Sequence, residues 1–124
     1  MPISYSIDAQ LGVIVETWVG NVSAGDLAEY WKNYLANPKV LALRRTLVDL
    51  RQANPTFTGR ELSDLISSIV DPILQGREWK TAILVDKPVQ LGISHQYHVF
   101  AEHYSHDAIF SDPASALAWL VDPS

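Results

Sequence analysis

The chain has 124 residues, a formal charge of −5 and an apolar fraction of 48%, the profile of one globular domain, residues 1–124, that can bury a core without metals or crosslinks. It has no cysteine, which excludes a disulfide scaffold, a thiolate zinc site and a Cys nucleophile. Arg44, Arg45 and Arg51 are the nearest approach to a basic cluster, too little for the counterion release that broad nucleic-acid binding needs.

The opening MPISYSID has no basic stretch followed by an apolar core, so no secretory signal is expected. No apolar run approaches the roughly 20 residues that span a bilayer. A soluble, cytoplasmic protein without a membrane span is the expectation.

Ile3, Tyr5 and Ile7 alternate with polar residues, which predicts a strand with one wet face. After a break at Ala9–Gly12, the β-branched run Val13–Val19 predicts a second strand, and so short a connection allows only an antiparallel hairpin. Ser23 is an N-cap with Asp26 three residues on, at the positive end of the helix dipole. Leu27, Tyr30, Trp31, Tyr34 and Leu35 then form one helical stripe, stopped at Asn37–Pro38. Val40, Leu41 and Leu43 read as apolar contacts on the way to a buried strand at Thr46–Leu50.

The loop Arg51–Phe57 leads to Thr58-Gly-Arg-Glu61, a capping box that opens the next helix. Its stripe runs Leu62, Leu65, Ile66, Ile69, Val70, Ile73 and Leu74. Pro72 inside it predicts a kink or break near Ser68–Asp71, and Gly76 closes it. Thr81–Val85 is a continuous apolar run, as in a parallel strand covered on both faces. Lys87–Pro88 opens a helix expected to reach about Ser105, with Ile93, Tyr97, Phe100 and Tyr104 on one side. A short strand at Ala108–Phe110 and a last helix capped at Asp112–Pro113 complete the order β-β-α-β-α-β-α-β-α. That order predicts an α/β fold: an N-terminal β-hairpin, then β-α repeats, building a mixed, mostly parallel sheet flanked by helices.

The pattern resembles the SpoIIAA-like family, a bacterial branch of the STAS superfamily that shares features with CRAL-TRIO lipid-binding domains. The resemblance rests on Thr17-Trp-Val-Gly20, Asn37-Pro38, Leu47-Val-Asp-Leu50, Leu91-Gly-Ile93 and Phe110-Ser-Asp-Pro-Ala-Ser-Ala-Leu-Ala-Trp-Leu120, in that order and spacing. It implies a non-catalytic interaction or regulatory module. In anti-sigma-factor antagonists of that superfamily, a phosphorylatable serine stands after the third strand at a helix N-terminus. Here the loop offers Thr56 and Thr58 and no serine, so only the position carries over.

Three candidate sites follow. The first is a partner- or ligand-binding edge at Asp49, Arg51, Thr56 and Thr58, where a strand C-terminus meets a helix N-terminus; Thr58 is also explained as a plain cap. The second is a lipid-like apolar pocket between helices and sheet, lined by aromatics such as Tyr30, Trp31, Tyr34, Trp79, Tyr97, Phe100 and Tyr104, beneath the Pro72 helix. The third is a metal-holding face of His95, His98, Glu102 and His106 at i, i+3 and i+4 spacings. No G-x-S-x-G elbow, Walker lysine loop or G-x-G-x-x-G is present, so neither enzyme activity nor a cofactor is expected. Homodimerisation through an exposed patch containing Trp79 or Tyr97 is a further expectation.

Overall fold

The computed structural model describes residues 2–123. Five strands form one sheet in sequential order: β1 (Ile3–Asp8), β2 (Val13–Val22), β3 (Arg45–Pro55), β4 (Trp79–Leu84) and β5 (Ser105–Phe110). β1 and β2 are the expected antiparallel hairpin, and the other neighbours are parallel. Between β2 and β3 the register slips after Thr17↔Asp49 to Val19↔Gln52, so β3 carries one extra residue at Leu50–Arg51. This bulge lets β3 stay paired as far as Pro55, and most of the expected loop after Leu50 is therefore strand.

The helices are α1 (Ala24–Tyr34), α2 (Pro38–Leu43), α3 (Gly59–Leu65), α4 (Asp71–Leu74), α5 (Pro88–Ala101) and α6 (Pro113–Val121), with a π-helical turn at Ile66–Val70 joining α3 to α4. α2 is an element that apolar periodicity alone did not reveal. Asn37 caps it by accepting from Lys39 N at 3.0 Å, with Pro38 in its first turn, and Arg44 ends it in the left-handed region at φ 56°. The proline that stops α1 thus starts α2.

Sequential parallel strands joined by crossovers of one hand place every crossover helix on the same face. That face carries Ile14, Trp18, Leu50 and Ile83 against Leu27, Tyr30, Leu62, Ile66 and Val70. The opposite face, with Val13, Leu47, Ala82 and Leu84, is covered by Ala116 and Leu120 of α6.

The predicted break near Pro72 takes the form of the π turn. Its cause is visible in the spacing of the four fully inward residues Leu62, Ile66, Val70 and Leu74. An α-helix turns once per 3.6 residues, so each four-residue step overshoots by about 40°, and three steps by about 120°. A wider i→i+5 turn takes up that drift and keeps all four residues on the core.

Candidate functional site

Ile14, Glu16 and Trp18 share the crossover-helix face of β2 by simple alternation. Glu16 is 4% exposed. Its Oε1 accepts a hydrogen bond from the Tyr30 hydroxyl at 2.7 Å and its Oε2 one from Trp18 Nε1 at 2.7 Å. Among the described residues it has no basic partner. Burial pushes its pKa above the usual carboxylate range, against the lowering effect of the Trp18 and Tyr30 hydrogen bonds.

Beside it runs a polar row set by strand register, Thr46↔Thr81↔Asp107 across β3, β4 and β5. Thr46 Oγ1 lies 2.7 Å from the Tyr34 hydroxyl and accepts from Trp79 Nε1 at 3.1 Å. The Asp107 side chain is fully buried; its Oδ1 accepts from Ser105 Oγ, and His98 Nδ1 stands 3.6 Å from its Oδ2. That Oδ2 has no hydrogen-bond partner among the described residues. Burial raises the Asp107 pKa, offset in part by Ser105 and His98. Ser105 thus bonds the carboxylate and not the imidazole, which is not the order of a nucleophile–base relay.

Between this face and the helices lies a cavity of about 80 Å³. Its floor is Glu16, Thr46, Val48, Thr81 and Ile83, and its rings come from Trp18, Trp31, Tyr34, Phe57, Trp79 and Tyr97. Leu62, Val70 and Leu74 close one side and Ile93 and Ser94 another. Burial pushes the Tyr30, Tyr34 and Tyr97 hydroxyls far above their ordinary range, so they stay neutral hydrogen-bonding groups. Gln90 and Ser94 fix α5 here: Gln90 Nε2 donates to Ala53 O at 3.0 Å, its Oε1 accepts from Asp86 N at 2.9 Å and Lys87 N at 3.2 Å, and Ser94 Oγ donates to Gln90 O at 2.8 Å.

The residues of the expected edge are all partnered within the chain. Arg51 grips Asp49 through two side-chain bonds, Nε to Oδ1 at 3.0 Å and Nη2 to Oδ2 at 2.9 Å, which hold the Asp49 carboxyl below its ordinary pKa. Thr56 Oγ1 donates to Val22 O at 3.2 Å. Thr58 and Glu61 form the predicted reciprocal box, at 3.1 and 2.9 Å. Because the strand order never reverses, there is no switch-point crevice at this end of the sheet. Phe57, between the two threonines, points inward and is part of the cavity wall.

The expected histidine face is divided. α5 ends at Ala101, so Glu102 lies past its last turn and His106 belongs to β5, with its ring 5.6 Å from that of Trp119 on the α6 side. His98 turns to Asp107 while His95 is exposed. Among the described residues no three His, Asp or Glu side chains gather to hold a metal ion. The aromatic patch invoked for a homodimer is also absent from the surface, since Trp79 is 5% exposed and Tyr97 lines the cavity. Of the expected pocket aromatics, Phe100 packs on the core edge, and Tyr30 and Tyr104 are buried outside the cavity lining.

Glu16, Thr46, Thr81 and Asp107 were not singled out from sequence. The signal for Glu16 was present: it is the lone carboxylate of a β-branched run and alternates in phase with Ile14 and Trp18, so it shares their apolar face.

Among the described residues no helix is long and apolar enough to cross a membrane. No protein-family model and no curated protein matches the sequence. Solved structures do match in shape. An uncharacterized DUF3478-family protein with a SpoIIAA-like fold from Shewanella loihica PV-4 aligns with a TM-score of 0.64 at 18% identity, over 95% of this chain and 93% of that one. An anti-sigma factor antagonist from Mycobacterium paratuberculosis aligns with a TM-score of 0.62 at 15% identity, over 97% and 95%. An antiparallel hairpin leading into a parallel sheet, matched over nearly the whole length of both neighbours, gives this chain the SpoIIAA-like fold.

Proposed function

We propose that the protein is a non-catalytic interaction module whose partner-binding edge, at Asp49, Arg51, Thr56 and Thr58, responds to a small molecule held in the cavity. The observation that carries this reading is Phe57, which lies in the edge loop between Thr56 and Thr58 and forms part of the cavity wall. A void in a close-packed interior forfeits dispersion contacts along its lining, so an occupant restores them and presses on Phe57. The anti-sigma factor antagonist that shares the fold lends support to a protein partner. The cavity size argues against a lipid tail: about 80 Å³ is roughly half of the 150 Å³ that takes benzene.

Xenon under pressure, followed by NMR, tests this. It is expected to shift methyls of Leu62, Val70 and Ile83 together with the amides of Thr56 and Thr58, and Val70→Phe, which fills the cavity, is expected to remove both responses. A xenon response confined to surface methyls, or one unchanged in Val70→Phe, would overturn the reading.

A further inference from the structure

Among the described residues Glu16 has two donors and no counter-ion. Trp18 Nε1 can only donate, and both it and the Tyr30 hydroxyl are within 2.7 Å of a carboxyl oxygen, a pair of contacts suited to the ionised form. Yet a buried carboxylate without a cation is strongly penalised, and the described titratable groups that face it carry no positive charge: Tyr30 and Tyr34 from α1, Tyr97 from α5, and Tyr5 directly opposite on β1. The missing positive charge has one place to go, because Glu16 forms part of the cavity floor. Rings of Trp18, Trp31, Tyr34, Phe57, Trp79 and Tyr97 make up part of the rest of its lining, and ring faces attract a cation in the absence of water.

Resting on the small-molecule reading above, we propose that the cavity is a site for a small alkylammonium ion, its methyl groups against Trp18, Trp31, Tyr34, Trp79 and Tyr97 and its charge opposite Glu16. At 80 Å³ and the density at which benzene fills 150 Å³, the occupant has about three or four non-hydrogen atoms. Methylated ammonium ions are of this size. An ion entering while Glu16 is neutral displaces one proton, which leaves to solvent, so uptake strengthens as pH rises.

The test compares trimethylammonium chloride with isobutane and acetone, neutral molecules of the same heavy-atom count, by NMR titration of the whole chain and of Glu16→Gln. Trimethylammonium is expected to bind at least about tenfold more tightly than either neutral probe, with that preference lost in Glu16→Gln and affinity rising with pH. Neutral probes that bind as tightly as the ion overturn the ammonium inference and leave the small-molecule reading in place. Failure of all three probes and of xenon to enter overturns both. Should Glu16→Gln not fold, the pH series on the parent chain decides, and a flat series overturns the inference.

Discussion

At the scale of single residues, Glu16 concentrates the tension in this molecule. A carboxyl whose folded pKa is raised binds its proton more tightly in the folded chain than in the unfolded one. Its contribution to stability is therefore full below the ordinary value of 4.5 and is lost as pH rises through the raised folded value. Glu16→Gln keeps the shape and an acceptor for Trp18 but has no proton to lose. We expect it to be close to the parent in stability at acid pH and more stable by about 1–3 kcal/mol at pH 8, measured by urea denaturation at both. Equal stability differences at the two pH values would mean that folding does not shift the Glu16 pKa. Thr58 stands at the other extreme, since its hydroxyl and amide are both bonded to Glu61 and a modification there would have to break its cap.

At the scale of elements, the segment from α3 through the π turn to α4 shows what a sequence pattern conveys and what it hides. The stripe from Leu62 to Leu74 announced a helix, and Pro72 announced a break. The strict four-residue spacing of the buried residues also encoded the π turn, but that signal is legible only once it is known that all four face the same core. Leu74→Ala truncates the last of the four inward residues, a side chain that also lines the cavity. The expected cost is about 2–5 kcal/mol, with the cavity enlarged; chemical denaturation and xenon NMR check both. Other elements were legible for plainer reasons. Ser23, Thr58 and Asp112 cap the helices they were expected to cap, because capping is a local interaction. β3 ran past its expected end because pairing with β2 is long-range, and α5 stopped short because Ser105 and His106 pair with β4. The floor of the cavity stayed hidden for the same reason: Thr46, Thr81 and Asp107 are brought into one row by register, which no local window contains.

At the scale of the whole molecule, the two faces of the sheet are unequally covered. One is covered by α1, α3, the π turn and α5, the other by α6. The last turn of α6 is held by cations aligned with its dipole: Lys80 Nζ donates to Trp119 O at 2.7 Å and Asp122 O at 2.9 Å and lies 4.5 Å from the Trp119 ring centre, and Arg45 Nη1 donates to Leu120 O at 2.9 Å. Lys80→Ala is expected to cost about 1–2 kcal/mol. Amide exchange should rise first in α6 and in the backbone of Val13 and Leu47 beneath it, while α1 stays protected. Uniform loss of protection would mean that the two faces unfold as one unit.

The chain has four tryptophans, and Trp18, Trp31 and Trp79 border the cavity. The protein therefore contains its own optical probe. An occupant changes the polarity around three indoles at once, and ionisation of Glu16 acts on Trp18 through its N–H hydrogen bond. Intrinsic emission, recorded without any label, reads both the filling of the cavity and the charge on its floor, while Trp119, on the far side of the sheet, supplies the unchanging background.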